Sequence, residues 1–123
     1  VHGSGTGGTI EGVRRYIEAN NLNTKVCLTR PAEKEHGIQG IGDGKDFLFN
    51  PDNAHRILDV KTEDAIYRAK AFAKETGLLV GISSGANLLA AERLVEALDP
   101  AGIVITMLCD RGERYMSVYN PQN

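Results

Sequence analysis

The segment Gly3-Ser4-Gly5-Thr6-Gly7-Gly8-Thr9 narrows the folds open to this chain more than any other. Its glycines remove the side chains that would hold a backbone away from a neighbour or an anion. The stretch that follows, residues 10–20, places Ile10, Val13 and Ile17 on one helical face, with Thr9 as the expected N-cap. A glycine loop opening directly onto a helix turns its N–H groups inward and adds the positive end of the helix dipole. That is a phosphate cradle, to which the Ser4, Thr6 and Thr9 hydroxyls add donors. A tight strand-to-helix turn without a ligand satisfies the same pattern.

The rest of the chain alternates short apolar runs with amphipathic stretches. Strands are expected at residues 25–29, 58–61, 78–82 and 103–108, the last being the most strand-like run. A helix is expected from Thr62, as its cap, to Gly77, with Ala65, Ile66, Ala69, Phe72 and Ala73 as its apolar stripe. Another is expected over residues 83–98, carrying Leu88, Ala91, Leu94, Val95 and Leu98. Residues 33–53 read as a long loop. Strands alternating with helices imply a parallel sheet covered on both faces, with ligands at the carboxyl ends of strands.

Composition sets the class. The chain is 41% apolar and 24% charged with a net charge of −2, which excludes a disordered tail and disfavours nucleic acid as partner. No apolar run reaches the roughly 18 residues of a membrane span. Cys27 and Cys109 form neither a metal pair nor a disulfide framework and read as packed small hydrophobes in a reducing cytoplasm. His2, His36 and His55 share no metal spacing, so no metal site is expected. The start at Val1-His2-Gly3, without methionine, reads as the end of a strand in a fragment.

Two further glycine-rich segments carry chemistry. Gly37-Ile38-Gln39-Gly40-Ile41-Gly42-Asp43-Gly44 reads either as a mobile lid that touches a small ligand or as a solvated hinge. Gly81-Ile82-Ser83-Ser84-Gly85-Ala86-Asn87 repeats the strand–turn–helix logic, with one serine as cap and the other aimed at a ligand. Gly3, Gly5 and Gly8 also fit a dinucleotide fingerprint. The strand that should end in an acid ends in Arg30, so a module binding an NADP-type 2′-phosphate remains open. Asp110, Arg111, Glu113 and Arg114 read as a surface ion-pair network, and Tyr115 and Tyr119 as a cover for the sheet or a partner contact.

Taken together, Gly5-Thr6-Gly7-Gly8-Thr9, Ile38-Gln39-Gly40-Ile41-Gly42, Gly81-Ile82-Ser83-Ser84-Gly85-Ala86 and Gly112-Glu113-Arg114-Tyr115 closely resemble the cysteine synthase family. These are O-acetylserine or O-phosphoserine sulfhydrylases that use pyridoxal 5′-phosphate. The resemblance covers nearly the whole chain, keeps the motif order and corresponds to the C-terminal half of such an enzyme. It implies an α/β fold, the three-layer, Rossmann-like parallel-sheet domain of fold type II. It implies that Gly5, Thr6, Gly7, Gly8 and Thr9 hold the cofactor phosphate. By the same resemblance Ser83 bonds the pyridine nitrogen, and Gln39, Gly40, Ile41 and Gly42 lie over the substrate amino acid. A serine at that nitrogen makes the ring a weaker electron sink than a carboxylate would, which favours loss of a β-leaving group and its replacement by sulfide.

The family's Schiff-base lysine lies in the N-terminal half. None of Lys25, Lys34, Lys45, Lys61, Lys70 and Lys74 matches it, and each reads as a solvated surface lysine. No catalytic residue is therefore assigned to this chain. Asp43 replaces a small residue, and Cys109-Asp110-Arg111 is a variant approach to Gly112. The expectation is a chain of residues 1–123 that binds cofactor weakly and does not turn over alone. The complete enzyme is expected to be a cytoplasmic homodimer acting on an amino acid and sulfide. A nucleotide-binding module and a non-catalytic interaction domain are the alternatives.

Overall fold

A computed structural model describes residues 1–42 and 48–122. It contains β1 (His2–Gly3), α1 (Gly8–Ala19), β2 (Cys27–Pro31), β3 (Arg56–Val60), α2 (Thr62–Thr76), α3 (Ile82–Ala97) and α4 (Met116–Tyr119). Short 3₁₀ turns cover Pro51–Asn53 and Gly112–Tyr115. The sheet is parallel, in the order β1-β2-β3, with Gly3 opposite Thr29 and Thr29 opposite Leu58. Period-two alternation sends Cys27, Leu58 and Val60 to one face, where α2 and α3 cover them with Ala65, Ala69, Ala86, Ala90 and Leu94. On the other face Leu28 packs under Ile10 of α1 and Phe49. The layers are therefore helix, sheet and helix.

The two helices on one face cross closely because both present small residues. A methyl added at Gly85 would stand 2.1 Å from the Ala65 carbonyl oxygen. The buried stripe of α3 is Ala86, Ala90 and Leu94, while Val95 and Leu98 are exposed, contrary to the sequence pattern. In α1 Ile10 and Glu11 are buried, and Val13 is exposed.

Several expected boundaries move for physical reasons. Helix α1 starts at Gly8, and its cap is Gly7 in the left-handed region (φ 85°), not Thr9. A side chain at Gly7 would meet the Phe49 backbone nitrogen at 2.7 Å, so that turn requires glycine twice over. Thr62 is the first residue of α2 rather than its cap. Its N–H donates to the Glu33 carboxylate at 2.9 Å, and its hydroxyl accepts the Gly37 N–H at 3.0 Å. The cap is thus supplied from the 33–42 loop, and those hydrogen bonds hold the Glu33 carboxyl below its ordinary value. Gly77 closes α2 as expected, at φ 78°.

Residues 78–82 form no strand: Leu78 is exposed, and Val80 makes one antiparallel bridge with Arg111. Residues 103–108 form no ladder either. The run lies along β1, with the Val1 amino group donating to the Ile105 carbonyl at 2.7 Å and the Thr106 hydroxyl donating to the Val1 carbonyl at 2.9 Å. Val104 packs on the core, while Ile103, Ile105 and Met107 are exposed. β propensity cannot make a strand where only two residues of neighbour are present. The run still positions the site. The chain winds from β1 towards β2 on one side and returns to β1's other side after α3. β1 is therefore a topological switch point, and the crevice beyond its carboxyl end is where such sheets bind ligands.

Candidate active site

That crevice holds a cavity of about 660 Å³. The glycine loop from Gly3 to Thr9 forms one wall. Gln39, Gly40 and Ile41 form a second, and Ser83 with Cys109, Asp110, Arg114 and Tyr115 a third. The three glycine-rich segments of the sequence thus converge on one space, although residues 9 and 83 lie far apart in the chain. Gly42 has its φ at +70° and sits just outside this lining, donating its N–H to the Ser4 carbonyl at 2.9 Å. Asp43, Gly44 and Lys45 lie outside the described residues.

The cradle is held tightly. Added methyl groups would meet Ile41 Cγ2 at 2.3 Å from Gly3 and the Gly40 carbonyl oxygen at 2.6 Å from Gly5. The second loop is therefore packed against the first. Ile38 and Ile41 are buried in the core and Gln39 and Gly40 are exposed at the mouth, so this end of the segment packs its side chains inward while offering backbone to the cavity. Thr6 and Thr9 are exposed, free to face a ligand. Ser4 is buried, and its hydroxyl has no partner among the described residues.

At the α3 wall the cap is Gly81, with no side-chain capping bond, so neither serine is the cap. Ser84 is fully buried, and its hydroxyl accepts the Cys109 N–H at 3.1 Å. Ser83 is left facing the cavity. Asp110 turns inward rather than joining a surface network: Tyr115 donates to its Oδ2 at 2.5 Å, and its Oδ1 is buried with no hydrogen-bond partner among the described residues. A methyl at Gly81 would overlap that Oδ1 at 1.9 Å. The hydrogen bond to Asp110, then burial, pushes the Tyr115 phenol up to about 12. Of the expected network only the exposed Arg111–Glu113 contact at 3.8 Å is present among the described residues. Tyr115 and Tyr119 are buried with rings 6.3 Å apart, and Tyr119 donates to the Val80 carbonyl at 2.6 Å.

Cys27 is buried as expected, but Cys109 is exposed at the cavity. It ends the unladdered 103–108 run, which leaves its side chain uncovered. Partial burial, then Asp110, raises its thiol above the ordinary value. His2 also lines the cavity, and burial followed by the charge of Val1 lowers its imidazole.

One structural residue escaped the sequence pattern. Asn87 is fully buried, accepts the Gly3 N–H at 2.9 Å and donates to the Met107 carbonyl at 3.0 Å. It ties β1, α3 and the 103–108 run together immediately behind the cradle. Its place in the first turns of α3, after two serines and a glycine, was the available signal. Arg30 is paired with Asp59 at 2.7 and 3.1 Å and does not line the cradle cavity. None of the described lysines lines it either. Among the described residues there is no group of three metal-ligating side chains and no helix long and apolar enough to cross a membrane.

Residues 1–110 match the family described as pyridoxal-phosphate dependent enzyme. The chain is 38% identical over 124 residues to the cysteine synthase of Aquifex aeolicus, covering 95% of this chain and 38% of that protein. It is 40% identical over 127 residues to cysteine synthase B of Campylobacter jejuni, covering 95% of this chain and 42% of that protein. Among solved structures, O-acetyl serine sulfhydrylase isoform 3 of Entamoeba histolytica matches with a TM-score of 0.86 at 35% identity, over 95% of this chain and 38% of that one. Cysteine synthase of the same organism matches with a TM-score of 0.88 at 31% identity, over 100% of this chain and 40% of that one. The chain spans about two fifths of the length of these relatives. Sequence motifs, fold and relatives agree: the chain belongs to the pyridoxal-phosphate dependent enzymes, with the fold of the O-acetylserine sulfhydrylases.

Proposed function

We propose that residues 1–123 are the C-terminal, phosphate-binding part of a cysteine synthase, in which sulfide replaces the β-substituent of an activated serine such as O-acetylserine. The observation that carries this reading is the convergence of the glycine loop, Ser83 and Gln39-Gly40-Ile41 on one cavity. The residues fit pyridoxal phosphate. The Ile41 side chain, the Gly40 carbonyl and the Phe49 backbone leave no room for a Cβ at Gly3, Gly5 and Gly7, which fixes the loop's shape along the cavity wall. The Ser4 hydroxyl, without a partner among the described residues, adds donor capacity beside the loop.

When bound, pyridoxal phosphate supplies an electron sink that weakens the bond to a β-leaving group. The chain's own part is binding and orientation. Backbone N–H groups of Gly5, Thr6, Gly7, Gly8 and Thr9, with the Thr6 and Thr9 hydroxyls, would hold the phosphate at the start of α1, where the helix dipole is positive. Ser83 would donate to the pyridine nitrogen as a neutral hydroxyl. Gln39, Gly40, Ile41 and Gly42 present backbone to the amino-acid substrate. The whole enzyme is read as a cytoplasmic homodimer, which the free thiols of Cys27 and Cys109 and the exposed apolar side chains of Ile103 and Ile105 support.

Pyridoxal phosphate titrated into the purified chain, then reduced with borohydride and weighed intact, tests this reading. Saturable binding without a stoichiometric adduct is expected, because none of the described lysines lines the cavity. An adduct at one lysine, or sulfide-dependent cysteine formation by the chain alone, would overturn the reading that this part lacks its own Schiff-base lysine; no saturable binding would overturn the reading of the cavity as the chain's cofactor site.

A further inference from the structure

The turn that leads into α3 is held by residues 109–119. Gly81 donates its N–H to the Asp110 carbonyl at 3.0 Å, and Cys109 donates its N–H to the Ser84 hydroxyl at 3.1 Å. Ser83, which lines the cavity, lies between these two contacts. Just upstream, the Gly112 N–H donates to the Leu79 carbonyl at 3.0 Å and the Tyr119 hydroxyl to the Val80 carbonyl at 2.6 Å. The first turn of α3 is therefore fixed on both sides of the one residue read as the pyridine contact.

One side-chain pair sets this grip. Among the described residues the Asp110 carboxylate has a single hydrogen bond, from the Tyr115 hydroxyl to Oδ2 at 2.5 Å, while Oδ1 is buried with none. That Oδ1 lies 1.9 Å from where a Gly81 Cβ would stand, and the Tyr115 ring lies 3.0 Å from the same point. Glycine at 81 is what lets the pair sit against the turn. Without the phenol bond nothing holds a carboxylate in a buried place that disfavours it. Its departure frees the backbone at 109 and 110, which fixes Gly81 and Ser84. None of these contacts involves residues 6–9, which line another wall of the cavity.

We propose that Tyr115, acting through Asp110, is a positioning residue for Ser83: the phenol locks the turn before α3 and so sets how Ser83 meets the ring of a ligand in the cavity. The inference rests on the reading of this cavity as a cofactor site. It separates the site into two parts, a glycine loop that recognises the phosphate and a Tyr115–Asp110 pair that governs the fit of the ring.

Tyr115→Phe removes the bond and leaves the aromatic ring in place. In the ¹⁵N-labelled chain, hydrogen exchange at Gly81 and Cys109 is expected to quicken about threefold to tenfold, with the amides of β2 unchanged. Pyridoxine 5′-phosphate, which has the ring and phosphate but no aldehyde to react with surface lysines, is then titrated beside inorganic phosphate. The variant is expected to bind pyridoxine phosphate about threefold to tenfold more weakly, with a smaller shift at Ser83, and to bind inorganic phosphate as the parent does. Asp110→Ala is expected to reproduce both changes, and the double variant to add nothing beyond it, as in residues that act as a unit. Equal weakening of both ligands would show a merely structural role. Parent-like exchange at Gly81, or parent-like binding of pyridoxine phosphate, would show no coupling to Ser83. Each of these results overturns the proposal. A parent chain that holds pyridoxine phosphate no better than inorganic phosphate, without a shift at Ser83, overturns the cofactor reading as well, so the two failures are distinguishable.

Discussion

Replacing Asn87 with alanine removes a side chain that joins β1, α3 and the 103–108 run. Its amide accepts from Gly3 at 2.9 Å and donates to Met107 at 3.0 Å, and nothing of it reaches solvent. Truncation leaves the buried Gly3 N–H without an acceptor, a loss of about 1–3 kcal/mol. The Met107 carbonyl lies nearer solvent, so water recovers part of its bond, and the vacated amide volume adds about 1 kcal/mol. Together these give about 2–4 kcal/mol. With about 2.1 cal/mol/K per residue, 3 kcal/mol lowers Tm by about 12 °C for a chain of this length. The sequence has no tryptophan, so urea unfolding is best followed by circular dichroism. Asn87→Asp separates the two bonds. The carboxylate still accepts from Gly3 but meets the Met107 carbonyl, so the folded state favours the protonated acid. A folded pKa raised in this way makes the variant more stable at low pH, with stability lost as pH rises through that pKa. A loss below about 0.5 kcal/mol in the alanine variant, within the range of ordinary surface changes, would refute the reasoning. So would an aspartate variant whose stability relative to the parent does not change with pH.

Gly85→Ala drives a methyl to 2.1 Å from the Ala65 carbonyl and is expected to destabilise by about 1–3 kcal/mol or more, whereas Gly12→Ala meets nothing within 4 Å in a helix and is expected to stabilise by about 0.5–1 kcal/mol. Thermal unfolding of the pair checks the contrast. Tyr115→Phe should remove one phenol titrating near 12 from the ultraviolet pH titration. Because that folded pKa is raised, the bond to Asp110 is present below the unfolded value near 10 and lost as pH rises towards 12. Glu11, hydrogen-bonded by Arg14 and Arg15, is held at about 2 against an ordinary 4.5, so its contribution is full above the ordinary value and lost as pH falls towards 2. Glu11→Gln should flatten that acid limb of a stability profile.

The cradle was legible in the sequence because glycine spacing and a following helix are local signals. Its grouping with Ser83 and the 38–42 loop rested on motif order, since no local pattern tells that Gly5 abuts Gly40. The strongest strand pattern, residues 103–108, failed for a tertiary reason: a ladder needs a partner, and β1 offers two residues. Thr9 looked like a cap by residue type, but a left-handed Gly7 already supplies the turn. Cys109 looked like a small core residue, and only its place at the end of an uncovered run exposes it. The glycine spacing of residues 37–44 does not tell that the Ile38 and Ile41 side chains pack into the core, because nothing local marks which of its few side chains turn inward.

The central claim is that this chain contributes a phosphate cradle and a pyridine contact to one cofactor site. Amide shifts of the ¹⁵N-labelled chain during titration with pyridoxal phosphate, against NADPH in a parallel sample, test it most directly. The account predicts saturable shifts with pyridoxal phosphate at Thr6, Gly7, Gly8, Thr9 and Ser83 together, with Arg30 unmoved. Saturable NADPH shifts at the glycine loop and Arg30, with none from pyridoxal phosphate at Ser83, would contradict it.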